Sequence, residues 1–103
     1  GGDTIRCAPY ATFGSQELSD NVVQSLQNRL ACLMSNHGAI AVGGNIRQAL
    51  AIAIEVESLC QQYLIANQLG KPVLLTQAEM TQVIKKFKGY GPSSIQGIDL
   101  NEY

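Results

Sequence analysis

The chain is 103 residues long, 46% of them apolar and 15% charged, with a formal net charge of −1. That length holds at most one small domain, and the charge balance offers no basic field for nucleic acid. The low charge density suggests a surface covered by neighbours, either other subunits or a missing part of the same domain.

No uninterrupted apolar run approaches the ~18 residues that span a bilayer, so no membrane partner is expected. The longest candidate, residues 49–54, is broken by Glu55 and Glu57. The chain opens Gly-Gly-Asp-Thr-Ile, without a methionine or a signal peptide, and reads as the middle of a longer protein or as a tag remnant. Cys7, Cys32 and Cys60 lie far apart, odd in number and without a CxxC pair. That pattern fits neither a zinc ribbon nor a disulfide framework, and buried-looking thiols suit a reducing cytoplasm.

In chain order, residues 4–8 read as a short strand ended by Pro9, followed by a turn-rich loop that carries Tyr10, Phe13 and Gly14. Ser15 is placed as an N-cap for a helix reaching about Arg29, with Leu18, Val22, Val23 and Leu26 at helical spacing. Residues 31–34 and 39–42 are compact apolar runs separated by Ser35-Asn36-His37-Gly38, which predicts a strand, a turn and a second strand. Glycine at 38 suits a turn that needs a positive φ or a close approach. Asn45 caps a long helix over residues 46–69, closed by Gly70 and Pro72. Its apolar coverage is wide enough to imply burial against a sheet and something more. Residues 73–75 are an extended link, and Thr76-Gln77-Ala78-Glu79 is a capping box opening a helix to about Lys88. Three strands make a poor sheet core for these helices, so strands are expected to be missing.

His37 is the only histidine and the sharpest chemical candidate. A strand end with small neighbours presents an imidazole to a cleft. Catalytic zinc takes about three protein ligands, so a metal at His37 needs ligands from elsewhere; nothing marks Cys32, on the preceding strand, as one. Tyr10 reads as a plug holding its loop on the core, while Phe13 could line a pocket. Tyr90, between glycines, is placed either as a lid residue or as a helix-end anchor. Glu55 and Glu57 face different directions on a helix and make no carboxylate pair. Gly43-Gly44-Asn45 could meet an anion, though a plain turn and cap accounts for it. Lys85, Lys86 and Lys88 read as a solvated helix face.

Several stretches together resemble the class II aldolase/adducin family. Cys7-Ala8-Pro9-Tyr10-Ala11-Thr12-Phe13-Gly14-Ser15-Gln16-Glu17-Leu18 is similar to the family's Pro-Tyr-Ala-Thr-Phe-Gly-Thr-x-Glu-Leu segment, and Ala31 to Gly38 to its Asn/His-His-Gly motif. Tyr63-Leu64, Pro72-Val73-Leu74-Leu75 and Phe87-Lys88-Gly89-Tyr90-Gly91 follow in the family's order. The likeness implies residues 1–91 as the C-terminal portion of a class II aldolase domain, with residues 92–103 a polar tail outside it. The implied fold is α/β, a three-layer αβα arrangement with a largely antiparallel central sheet, assembled as a homotetramer. The implied cofactor is Zn2+, held by three histidines of which His37 matches the last; the other ligands, the catalytic glutamate and a catalytic tyrosine would lie outside this chain. Phe13, Phe87 and Tyr90 match aromatic positions near the substrate. The expected activity of the parent protein is cleavage of a ketose 1-phosphate, L-fuculose 1-phosphate first, to dihydroxyacetone phosphate and an aldehyde, with this chain inactive alone. The alternatives are a pentulose-phosphate 4-epimerase or a sugar-phosphate dehydratase or decarboxylase of the same fold, and a non-catalytic adducin-like assembly module.

Overall fold

The structure is a computed structural model, and it describes residues 2–87. Tyr90, Lys88 and the 92–103 tail therefore lie outside the described residues. Six elements follow one another: β1 (Arg6–Ala8), α1 (Gln16–Leu26), β2 (Ala31–Met34), β3 (Gly38–Ala41), α2 (Ile46–Leu69) and α3 (Gln77–Phe87). The strands form one small mixed sheet in the order β1-β2-β3. β1 runs parallel to β2, with Cys7 opposite Leu33, and β2 runs antiparallel to β3, with Met34 opposite Gly38. α1 packs on β1 and β2, and α2 packs on β3 and β2.

Each helix start rests on a local device. Ser15 accepts the Leu18 N–H at 3.1 Å, and Glu17 sits in the first turn where the helix dipole favours negative charge. Asn45 accepts the Gln48 N–H at 3.0 Å, while the buried Gln48 side chain reaches back to the Gly44 N–H at 2.8 Å. A Cβ on Gly43 would stand 2.8 Å from the Ala49 nitrogen, so the chain needs glycine to pass this first turn. The turn-and-cap reading of Gly43-Gly44-Asn45 therefore holds, with these donors and acceptors turned on one another. At α3, Thr76 donates its N–H and hydroxyl to the Glu79 carboxylate at 2.7 and 2.8 Å, and the Glu79 N–H returns to the Thr76 hydroxyl at 3.3 Å.

α1 ends at Leu26 rather than near Arg29, and the reason is non-local. Arg6, on β1, donates from Nη1 to the Gln27 carbonyl at 2.9 Å, satisfying an oxygen that the helix end would leave orphaned. Asn28 then turns the chain with a φ of 56°. Arg29 donates Nε to the Thr4 carbonyl at 2.9 Å and forms an ion pair with Asp3. Thr4 is thus drawn away from the sheet, and β1 starts at Arg6 rather than at residue 4. The N–H of its own residue and the Gln77 amide, with lesser help from Arg29 and Thr4, hold the Asp3 carboxyl below its usual range against an opposing desolvation.

The core is small. Ala8, Ala11, Leu30, Ala31, Cys32 and Val56 are its buried apolar residues. Burial pushes the Cys32 thiol up, with the neighbouring Cys7 adding to the effect, so Cys32 is a packing residue and a poor ligand. Cys7, which looked buried from the sequence, is exposed.

The long helix departs most from the sequence reading. Ala53, Val56 and Cys60 face β3 across an open apolar hollow of about 310 Å³ that also takes in Leu33 and Ile40. Another apolar face of α2 is uncovered: Ile46, Leu50 and Ile54, four apart along it, are 81%, 59% and 61% exposed. Taken whole, this helix is long and apolar enough to cross a membrane by length and composition, which an uninterrupted-run criterion does not register. A helix buried on several sides inside a folded protein meets the same test. α3 packs against no other element among the described residues, and Val73, Leu74 and Leu75 before it are exposed.

Candidate functional site

The hairpin between β2 and β3 builds the site. Met34 accepts the His37 N–H at 3.0 Å, closing a turn over Ser35 and Asn36. Asn36 takes a φ of 65°, a left-handed conformation that asparagine tolerates better than most residues, and Gly38 follows at 138°. Nothing would lie within 4 Å of a Cβ on Gly38, so its role is conformational rather than one of close approach. The Ser35 N–H donates to the Ala8 carbonyl at 3.1 Å, which ties this turn to the end of β1. The loop leaving β1 is thereby brought against His37.

That loop is held at both ends. The Asn21 amide donates to the Pro9 carbonyl at 3.3 Å, and the Ser15 N–H to the Thr12 carbonyl at 3.1 Å. Ala11 is the residue that anchors it, only 4% exposed, while Tyr10 is 58% exposed. The expectation that Tyr10 plugs the loop onto the core is therefore corrected. Tyr10 instead stacks on the His37 ring, with centroids 5.4 Å apart and planes 13° from parallel. Contacts of this type contribute about 0.5–1.5 kcal/mol. His37 Nε2 lies 2.8 Å from the Ala11 carbonyl oxygen. A carbonyl only accepts, so Nε2 carries a proton here, and in the neutral ring the lone pair is on Nδ1.

This is how an imidazole is prepared for a metal: one ring nitrogen held by a backbone carbonyl, the other able to donate electrons, and the ring accessible. The residues present fit one ligand position. Among the described residues no cluster of three metal-binding side chains occurs, so His37 cannot complete a site from them. Phe13 follows on the same loop, 82% exposed ahead of Gly14, whose φ is 76°. Phe87 is exposed at the end of α3, on an element that does not pack beside the hairpin. The structure thus draws together His37 and the loop bearing Phe13. Tyr90 lies outside the described residues. The sequence reading missed the Tyr10 stack and the Ala11 carbonyl beside His37.

Comparison with known proteins follows from this hairpin and loop. The sequence model of the family described as Class II Aldolase and Adducin N-terminal domain matches residues 1–64, which take in both. The L-fuculose phosphate aldolase of Escherichia coli K12 is 49% identical over 92 residues, 88% of this chain and 43% of its own length. The 5-methylthioribulose-1-phosphate/5-deoxyribulose-1-phosphate aldolase of Rhodospirillum rubrum is 43% identical over 94 residues, 91% of this chain and 42% of its own. A solved L-fuculose 1-phosphate aldolase superposes with a TM-score of 0.79 at 39% identity, over 82% of this chain and 40% of that one. The chain belongs to the class II aldolase and adducin family. It spans about two-fifths of the length of these curated relatives.

Proposed function

We propose that this chain is the C-terminal portion of a metal-dependent class II aldolase that cleaves a ketose 1-phosphate to dihydroxyacetone phosphate and an aldehyde. The observation that carries the reading is His37: an exposed imidazole on a hairpin turn, held by the Ala11 carbonyl and stacked on Tyr10, within a chain similar to sugar-phosphate aldolases. Residues 1–91 form the family portion, and residues 92–103 a polar appendage. The missing half supplies the remaining ligands, the carboxylate base, the further strands of a three-layer αβα domain and the subunit contacts of a tetramer in the cytoplasm.

In this reading His37 donates one ligand nitrogen. A zinc ion bound there would supply Lewis-acid chemistry at the substrate carbonyl, with His37 as one of the residues holding it. Phe13 would border the substrate from its exposed loop, and the likeness to the family assigns Phe87 and Tyr90 to a neighbouring subunit's site. The relatives divide between fuculose and deoxyribulose or methylthioribulose phosphates, so the side chain of the aldehyde product is the variable part. L-fuculose 1-phosphate is the first substrate to test.

The test uses the full-length parent protein with a panel of ketose 1-phosphates. Dihydroxyacetone phosphate should appear, a chelator should abolish it, and zinc should restore it. Product appearing as an epimer or a dehydrated sugar would replace the aldolase reading with another chemistry of the same fold. Intact oligomers without bound metal and without turnover would favour an assembly module. The His37→Ala variant should lower zinc content and reduce turnover by at least about 100-fold, the scale on which losing a direct catalytic group is read.

A further inference from the structure

We infer that Tyr10 is a positioning residue for the His37 imidazole, acting through the stack on one face of the ring while the Ala11 carbonyl fixes the ring's edge. The inference rests on His37 being a metal ligand. It adds a residue whose own atoms neither bind the metal nor touch the reacting bond.

The geometry supports a clamp rather than a chance contact. The planes are 13° from parallel at a centroid separation of 5.4 Å, an offset stack. The nitrogen-to-carbonyl bond, at 2.8 Å, comes from the residue next to Tyr10. Stack and hydrogen bond thus arise from consecutive loop residues and restrain different freedoms. The stack sets the plane of the ring, and the carbonyl sets its rotation within that plane and its tautomer. The loop can do this because it is fixed on both sides, by Asn21 on Pro9 and by Ser15 on Thr12, with Ala11 buried between. Tyr10 itself is mostly exposed, so packing in the core does not explain its place. An imidazole on a hairpin tip with both neighbours exposed would otherwise sample several rotamers, and each would have to be given up on binding a metal.

In the full-length protein the ring signals of His37 are assigned by their loss in the His37→Gln variant. In the metal-free protein, long-range proton–nitrogen spectra should show Nε2 protonated, and the ring protons should be shifted upfield by the Tyr10 face. Tyr10→Phe keeps a face and should keep that shift. Tyr10→Leu should lose it without changing the amide spectrum of the rest of the chain. With the full-length protein, zinc competition against a chromophoric chelator should show Tyr10→Leu weakened roughly tenfold, the lower end for losing a ligand's supporting partner, and Tyr10→Phe close to the parent. Equal zinc affinity for parent and Tyr10→Leu overturns the proposal. Equal weakening of both variants also overturns it, because the phenol hydroxyl would then be the cause. A parent protein that binds no zinc defeats the ligand reading itself, and the ring-proton shift still separates that failure from failure of the clamp.

Discussion

At position 38 the chain turns with a φ of 138°, and a Cβ there would meet no atom within 4 Å. The cost of a side chain is therefore backbone strain alone, about 1–3 kcal/mol. Gly38→Ala should lower stability by that amount in urea unfolding, with no cavity or clash to account for it. Asn36, at 65°, offers the matching control. Asn36→Gly should be nearly neutral, while Asn36→Val should cost about 1–2 kcal/mol, because a β-branched residue resists the left-handed region. If Gly38→Ala is silent, the positive φ is not what glycine provides there. His37 and Gly38 were legible in the sequence because the motif is local. The partners of His37 were not: the Ala11 carbonyl is 26 residues away, and only the pairing of β1 with β2 brings it close. Tyr10 was misread for the same reason, since sequence gave no sign that the small Ala11 rather than the large aromatic would take the buried place.

Among the elements, those with local signals at both ends were read closely. β2 and α2 run from Ala31 to Met34 and from Ile46 to Leu69, as patterning and caps imply. α1 fell short of expectation because its end is set by Arg6, 21 residues away. The parallel pairing of β1 with β2 left no mark in composition, because it depends on how α1 returns the chain. At α3 the start is a capping box, and its electrostatics give a pH dependence. The Thr76 N–H, then its hydroxyl, hold the Glu79 carboxyl below its ordinary value of 4.5. The folded form thus favours the ionised carboxylate, so its stabilisation is complete above 4.5 and is lost as pH falls through the lower folded value. α3 packs against no other element among the described residues and is tied to the rest by the Gln77 amide on Asp3, so it should fray first on acidification. Hydrogen exchange should show the Thr76 and Glu79 amides losing protection in that window while the Cys32 amide keeps its own. Thr76→Ala should produce the same fraying at neutral pH.

The whole molecule poses the question of what covers α2. Sequence reading predicted burial on a sheet and something more, and the structure supplies the sheet side only. Val56 is buried, whereas Ile46, Leu50 and Ile54 form an uncovered stripe. The chain spans about two-fifths of its relatives' length, and in the proposed reading the rest of the domain, a second subunit or both would cover this face. Each of these side chains, once covered, would contribute about 1.5–3 kcal/mol. Replacing Leu50 and Ile54 with glutamate separates the settings. In this chain the pair is exposed, so the change should shift stability by no more than about 0.5 kcal/mol per site and should raise solubility. In the full-length protein the same pair should break the assembly or unfold the domain, read as a drop in mass by light scattering or a lowered Tm, because two charges would be forced into an apolar contact. A full-length protein that keeps its mass and Tm with both glutamates would show that this face is not covered. The apolar excess of α2 would then need another explanation than a missing half or a neighbouring subunit.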